Sequence, residues 1–227
     1  MAETDNDPRG GVSYAIGGVD LLLRLLLKDV KSGVYLDVGA NHPVRYSNTY
    51  GFYQDGWRGV AVDGNADFAP LWREVRPRDA FVCALVAEEV KDITFDVFPD
   101  PTMSTIDPET CQRYSARFDK SSIRTETRRT TTLLDLCNLH NLREIHLLSI
   151  DIEGVELSAL QGMNLKIYTP GVICIEIKNI SLYDFDRNVT VQYLHQFGYR
   201  MISKTPLDAI FVMPGKEYMD WIPPSIS

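Results

Sequence analysis

Short apolar runs that alternate with stretches of helical character are the feature that most constrains the fold of this chain. Three of these runs, at residues 33–38, 59–63 and 145–151, carry an acidic residue at or next to their end. The alternation is typical of parallel strands joined by crossover helices. The sequence therefore predicts an α/β fold with a mostly parallel sheet and flanking helices. Two later runs, at 199–203 and 209–213, predict an antiparallel strand pair near the C-terminus.

The length of 227 residues allows one α/β domain with a substantial core. Residues 1–30 are expected to form a tail and an amphipathic helix that packs on this domain. The apolar part of that helix, at 19–30, is too short to cross a membrane and contains Arg24 and Lys28; docking to a membrane surface or a partner is the alternative. Residues 31–227 are expected to form the domain itself, with a substrate loop at about 100–130.

Charge and cysteine usage limit the partners and the location. Lys and Arg total 23 and Asp and Glu total 31, so the net charge is −8, which is a poor match for a nucleic-acid binder. The 4 cysteines include no CxxC pair, so a zinc site lacks support. We expect a cytoplasmic protein without a transmembrane segment, because the start lacks the positive region of a signal peptide. The oligomeric state is open, and a homodimer is compatible with the sequence.

The segment YLDVGAN at 35–41 places an acid near the end of a predicted strand, followed by a tight turn. Such a turn, at Gly39, Ala40 and Asn41, lets the backbone approach a ligand at the carboxyl edge of the sheet. Asp37 is expected to bind a positively charged amino group or to orient water. S-adenosylmethionine (SAM) carries such an ammonium on its methionine part. The glycine pattern of a nicotinamide dinucleotide site is absent, which argues against a pyrophosphate ligand.

The segment VAVDGN at 60–65 follows on the neighbouring strand. Asp63 ends that strand, and Gly64 and Asn65 continue into the next turn. A carboxylate at this position can accept hydrogen bonds from both hydroxyls of a ribose. A cap on a loop or helix is the alternative role for Asp37 or Asp63 taken alone. The two acids on adjacent strand ends favour a nucleoside site.

The segment SIDIEGVE at 149–156 follows a third strand beside the first. Asp151, Glu153 and Glu156 there can accept a proton from a substrate hydroxyl or hold a divalent ion. Capping of the next helix is the alternative, because acids favour helix N-termini. Glu176 lies inside a fifth apolar run, where a charge requires a partner or a function; Lys178 is on the same face and is its predicted partner.

These segments resemble the FkbM family of SAM-dependent methyltransferases. The matching stretches are YLDVGAN at 35–41, VDGN at 62–65, TLLDL at 132–136, LLSIDIEGVELSALQGM at 147–163 and ICIEIK at 173–178. The resemblance implies a Rossmann-like, seven-stranded sheet and methyl transfer to a hydroxyl of a sugar or of a natural product such as a polyketide. It also implies that Asp37, Gly39 and Asn41 form the methionine-binding loop. By the same resemblance, Asp63 binds the ribose and Asp151 lies beside the reacting methyl group.

One departure from the family pattern is His42-Pro43, where many relatives have Val-Gly. The segments YSNTY at 46–50 and GWRG at 56–59 resemble a branch found among surface-polysaccharide genes. The sequence therefore predicts an O-methyltransferase that acts on a sugar or surface-polysaccharide acceptor. Asp151 is the first candidate for the base, followed by His42 and Glu153. A structural histidine with satisfied hydrogen bonds is the alternative for His42.

Several alternatives stay open at the level of the sequence. A bound divalent cation could acidify the hydroxyl, although no ligand set is clear. Basic residues at 113–129 could contact an anionic acceptor or belong to a solvated loop. The rival functions are methylation of a polyketide or other natural product, a nucleotide-sugar or nicotinamide enzyme on the same fold, and a non-catalytic SAM-binding module.

Overall fold

A computed structural model describes residues 11–100, 103–178 and 181–216. The strands, in chain order, are β1 Val34–Val38, β2 Arg58–Asp63, β3 Ala80–Cys83, β4 Leu85–Val86, β5 Asp92–Val97, β6 Arg124–Thr131, β7 Leu147–Ile150, β8 Val172–Glu176, β9 Arg200–Lys204 and β10 Asp208–Val212. The helices are α1 Val19–Leu26, α2 Tyr50–Gln54, α3 Ala69–Val75, α4 Pro108–Ser115, α5 Leu133–Leu139, α6 Glu156–Gln161 and α7 Val189–Gln196.

The main sheet has 7 strands in the order β3-β2-β1-β7-β8-β10-β9. The first five strands of this order are parallel, and β10 is antiparallel to both β8 and β9. The prediction of a mostly parallel, seven-stranded α/β sheet with an antiparallel C-terminal pair is confirmed. The strand order reverses between β1 and β7, and in open sheets this switch point is where ligands bind.

Both faces of the sheet are covered, which explains the nearly continuous apolar character of its strands. One face packs against α5, α6 and α7 through side chains such as Leu136, Leu160 and Leu194. The other face packs against α1 and α2 through Leu23 and Phe52. Helix α1 buries Val19, Leu23 and Leu26, which recur at helical spacing along one side. Helix α1 ends at Leu26 and does not extend to residue 30.

A second, three-stranded sheet in the order β4-β6-β5 corrects two sequence-based expectations. The apolar run at 80–86 predicts one strand, but the chain leaves the main sheet after β3 and pairs β4 with β6. Residues 100–130 were expected to be a loop, but they contain α4 and the strand β6, which pairs with β5. Strand β6 has the sequence RTETRRTT, which contains only polar residues, and half of them are exposed. It therefore shows no alternation of apolar and polar residues.

Within the described ranges, no helix is long and apolar enough to cross a membrane. The tail at 221–227, which its Pro223-Pro224 pair predicts to be extended, lies outside the described residues, as do the first ten residues of the predicted N-terminal tail.

Candidate active site

A cavity of about 600 Å³ opens at the switch point of the main sheet. Its floor is formed where β1, β2 and β7 end and where β10 begins, and the small sheet forms one of its walls. Gly39, Asp63 and Asp151 lie on this floor. Backbone hydrogen bonds hold the strand ends together, because the Gly39 amide donates to the Val62 carbonyl at 2.8 Å and the Asp151 amide donates to the Val38 carbonyl at 2.9 Å.

Gly39 is the point at which the first loop crosses the chain that leaves β7. Its φ is +80°, a left-handed conformation that favours glycine. A Cβ at this position would overlap the carbonyl oxygen of Asp151. The neighbouring Ala40 is buried against Ala61 and Trp72 and does not line the cavity. Glycine is therefore required here for the approach of two protein segments, a reason that the sequence pattern alone does not reveal.

Asp63 lines the cavity at the end of β2 and organises the turns around it. Its Oδ2 accepts a hydrogen bond from the Asn41 amide at 2.8 Å, and its Oδ1 accepts one from the Asn65 amide at 2.7 Å. Burial raises the pKa of Asp63 to about 6, although these two hydrogen bonds oppose the shift. Asn41 also lines the cavity, with a φ of +46°.

Gly64 and Asn65, which follow Asp63, differ in whether they line the cavity. Gly64 lines the cavity next to Leu85 and Phe95, and its carbonyl accepts a hydrogen bond from Arg128. Asn65 is buried away from the cavity, and its side chain accepts a hydrogen bond from the Asp67 amide at the start of a short 3-10 helix. The described lining residues therefore include Gly64 but not Asn65.

Asp37 lies behind the first loop rather than in the cavity. Only 4% of its surface is exposed, and its Oδ2 accepts a hydrogen bond from the Thr49 hydroxyl at 2.5 Å. Burial raises the pKa of Asp37 above its ordinary value, and the hydrogen bond from Thr49 counteracts the shift. The Asp37 carboxylate thus stabilises the segment between β1 and α2 through its hydrogen bond to Thr49.

A buried ionic network continues from Thr49 to Arg76, a residue that the sequence-based predictions did not include. The Arg76 guanidinium donates to the Thr49 hydroxyl at 3.0 Å and to the Tyr35 hydroxyl at 2.6 Å. It also pairs with Asp79 at 2.7 Å, and both side chains of this pair are fully buried. The only sequence signal for this network was that Arg76 and Asp79 are three residues apart. Oppositely charged residues at this spacing are common on protein surfaces, so the signal did not indicate a buried pair.

Asp151 faces the cavity directly after β7. Although its side chain is exposed to this recess, withdrawal from bulk water raises the pKa of Asp151 well above its ordinary range. Neighbouring negative charges on Glu176, Glu153, Glu156 and Asp208 raise it further. A carboxyl group in such surroundings takes up a proton more readily than one in water.

Glu153 joins three parts of the structure. The Tyr114 hydroxyl of α4 donates to its Oε2 at 2.7 Å, and the Lys178 ammonium donates to the same oxygen at 2.7 Å. The Thr105 hydroxyl donates to the Glu153 carbonyl at 2.8 Å. Glu153 has a φ of +58°, an uncommon conformation that surrounding contacts must maintain. Segment 103–118 is thereby attached to the loop that carries Asp151.

Lys178 also pairs with Glu176 at 2.8 Å, which confirms the predicted partnership of these two residues. Burial lowers the pKa of Lys178, but the hydrogen bonds to Glu153 and Glu176 outweigh this effect and raise it above its ordinary value. Lys178 is therefore a cation at neutral pH. Oxygen atoms of Asp151, Glu153 and Glu176 lie within 4.8 Å of one another, so the ammonium is part of a compact acidic cluster.

His42 lies outside the cavity, as judged from the described residues that line it. Its Nδ1 accepts hydrogen bonds from the Val44 and Arg45 amides, each at 3.0 Å. Burial, followed by the charge of Arg45, lowers the pKa of His42.

Glu156 also binds backbone amides, because its Oε1 accepts hydrogen bonds from the Gly154 amide at 2.9 Å and from the Ile152 amide at 3.1 Å. Both His42 and Glu156 stabilise loops.

The basic residues between 113 and 129 do not line the cavity among the described residues. Arg128 donates to the carbonyls of Gly64 and Cys83 and so attaches the small sheet to the end of β2. Arg124 pairs with Glu126 on the surface at 2.8 Å. The only basic residue among the described residues that line the cavity is Lys178.

Comparison with known proteins gives a family match. Residues 37–201 match the model of the Methyltransferase FkbM domain. No curated protein sequence matches the chain significantly. Among solved structures, the chain is similar to the precorrin-6y C5,15-methyltransferase from Geobacter metallireducens GS-15, with 12% identity, 85% of each chain covered and a TM-score of 0.43. The matched range contains Gly39, Asp63, Asp151 and Lys178.

Proposed function

The chain belongs to the Methyltransferase FkbM family, and we propose that it transfers a methyl group from SAM to a hydroxyl of a sugar or surface-polysaccharide acceptor. The observation that carries this proposal is the convergence of Gly39, Asp63 and Asp151 on one cavity at the switch point of the sheet. Its volume of about 600 Å³ is in the range of small-molecule sites.

The end of the cavity at β1 and β2 fits the nucleoside part of SAM. Each carboxylate oxygen of Asp63 accepts one backbone N–H and keeps acceptor capacity for a ribose hydroxyl. Leu85 and Phe95, beside Gly64, offer apolar surface for the adenine ring. Gly39 and Asn41 line the cavity next to this end, where we place the methionine part of SAM.

The charge of the cavity also supports a cationic ligand. Acidic residues outnumber the single basic residue, Lys178, in its described lining, and they are Asp63, Asp100, Asp151, Glu153, Glu176 and Asp208. A recess lined by one sign of charge attracts ligands of the opposite sign, and SAM carries a sulfonium and an ammonium. Direct contact between Asp37 and that ammonium stays a prediction; the carboxylate binds Thr49 behind the loop, which supports a positioning role.

SAM supplies a methyl group on a sulfonium, which is a good leaving group. The protein has to align the acceptor oxygen with that carbon and to remove the hydroxyl proton. We assign the proton to a carboxylate oxygen of Asp151, which takes it as the acceptor oxygen attacks. A base works best when its pKa lies near the working pH, and the raised pKa of Asp151 moves it in that direction.

The other two candidates for the base are less suited. His42 lies outside the described lining of the cavity, and backbone amides occupy its Nδ1. Glu153 faces the cavity, but Tyr114 and Lys178 both donate to its Oε2. These two hydrogen bonds occupy that oxygen of Glu153 and hold the side chain in place. Asp151 is therefore the assigned base.

The end of the cavity at β8 and β10 suits a polyhydroxylated acceptor. Glu176, Lys178 and Asp208 line it from the sheet, and Asn48 and Thr105 line it from the loops above. These groups donate or accept hydrogen bonds, and buried polar groups of this kind reject analogues that lack a matching hydroxyl. This lining supports a sugar more than a purely apolar natural product.

The test is incubation of the protein with methyl-labelled SAM and a panel of sugars, nucleotide sugars, polysaccharide fragments and polyketides. We expect labelled methyl ethers, whose position can be read by NMR. Transfer to nitrogen or carbon would contradict O-methylation, and transfer only to polyketides would contradict the sugar assignment. Calorimetry with S-adenosylhomocysteine tests the cofactor separately, and the absence of binding would contradict a SAM site.

A further inference from the structure

The acidic cluster at the acceptor end of the cavity already contains a cation. Asp151 follows β7, Glu153 lies two residues later, and Glu176 ends β8, so the carboxylates come from two neighbouring strand ends. Their oxygens lie within 4.8 Å of one another. Uncompensated carboxylates at such distances repel one another strongly, and a positive charge between them removes that repulsion.

Lys178 provides this charge from the chain that continues β8. Its Nζ lies 2.7 Å from Glu153 Oε2 and 2.8 Å from Glu176 Oε2. The Glu153 and Glu176 side chains are only 16% and 6% exposed, and that of Lys178 is 34% exposed. The ammonium thus bridges two carboxylates, one just after β7 and one at the end of its paired strand β8, that would otherwise face one another as like charges.

We propose that the Lys178 ammonium is the resident cation of this cluster, that it positions Glu153 and Glu176 around Asp151, and that it excludes a divalent cation. Hard divalent cations such as Mg²⁺ and Mn²⁺ bind to carboxylate oxygens. The three carboxylates form the kind of ligand set that such an ion requires, but Lys178 contacts two of them. In this proposal Lys178 does not remove the proton itself. It is a positioning residue, because it holds the two carboxylates that lie beside the base, Asp151.

The assignment rests on the proposed function only where it names Asp151 as the base. The exclusion of a metal ion concerns the cluster alone and is measurable without any acceptor. Binding of Mn²⁺, followed by electron paramagnetic resonance, is a suitable readout because free and bound Mn²⁺ give different signals.

The experiment compares Mn²⁺ binding by the wild-type protein, Lys178→Met and Lys91→Met. Lys91 pairs with Glu89 on the surface and provides a matched control. We expect Lys178→Met to bind Mn²⁺ on the order of tenfold or more tightly than the other two proteins, because a charge that competes for the carboxylates is gone. Adding Glu176→Gln to Lys178→Met should abolish the gain, which would locate the ion at the cluster.

Two results would overturn the proposal. A folded Lys178→Met that binds Mn²⁺ no more tightly than the wild-type protein would show that Lys178 does not exclude the ion. A gain in affinity that persists when Glu176→Gln is added would show that the ion does not bind at the cluster. If Lys178→Met does not fold, Lys178→Gln replaces it, because the amide still donates to Glu153 but carries no charge. Failure of methyl transfer with every acceptor would contradict the proposed function and leave these binding results unaffected.

Discussion

Replacement of Gly39 by alanine is the perturbation whose effect follows most directly from the geometry. Gly39 has a φ of +80°, and Gly56 has a φ of +92°. A Cβ at Gly39 would overlap the Asp151 carbonyl, whereas a Cβ at Gly56 would meet no atom within 4 Å. The two substitutions therefore share the backbone penalty and differ only in the overlap.

The left-handed conformation costs an alanine roughly 1–2 kcal/mol, and overpacking costs typically about 1–3 kcal/mol. We expect Gly56→Ala to lower the free energy of unfolding by roughly 1–2 kcal/mol and Gly39→Ala by about 2–5 kcal/mol. Gly39→Ala should also weaken S-adenosylhomocysteine binding at least about tenfold, a loss of about 1.4 kcal/mol, because relief of the overlap displaces the chain at Asp151. Gly56→Ala should leave that affinity unchanged.

Urea unfolding measures the first quantity, and isothermal titration calorimetry measures the second. The reasoning would be refuted if the two variants had the same stability and the same affinity. It would also be refuted if Gly39→Ala lost stability but bound the ligand normally, because the crossing at Gly39 would then not shape the cavity.

Two further predictions concern the acid at the end of β2 and the buried ion pair. Folding raises the pKa of Asp63 from 3.8 to about 6, so the unliganded protein should gain stability relative to Asp63→Asn as the pH falls from about 6 to about 4. Over the same range S-adenosylhomocysteine should bind more weakly to the wild type, and an affinity that does not change with pH would contradict the ribose role. Arg76→Met removes one partner of a fully buried pair with Asp79 and should cost about 3–5 kcal/mol of stability. The exposed neighbour Arg78 is the control, and an equal loss in Arg78→Met would refute the special role of the buried pair.

The sheet could be predicted from the sequence because its strands are buried on both faces and therefore read as apolar runs. The small sheet could not be predicted in full, because β6 contains only polar residues, half of them exposed, and its pairing with β5 depends on backbone hydrogen bonds. Helix α4 was missed for a similar reason, since it buries only Thr110 and Tyr114. Solvated elements leave little hydrophobic period in a sequence.

The candidate site also contains some residues whose places could be predicted from the sequence and others whose places could not. Residues at strand ends, such as Gly39, Asp63 and Asp151, could be identified because parallel strands bring their carboxyl ends to one edge. The places of Asp37 and His42 could not be identified, because a sequence does not reveal whether a polar side chain turns toward a ligand or toward another part of the protein. Contacts between distant segments, such as Tyr114 with Glu153, leave no local signal.

The rate of methyl transfer by Asp151→Asn, measured against SAM concentration, tests the proposed chemistry most directly. The substitution keeps the size of the side chain and removes its charge, and Asp135→Asn on the exposed side of α5 is the control. We expect Asp151→Asn to lower the maximal rate by about 10²–10⁴-fold at saturating SAM, while the wild-type rate rises with pH as Asp151 ionises. A near-normal maximal rate at saturating SAM would contradict the assignment of Asp151 as the base.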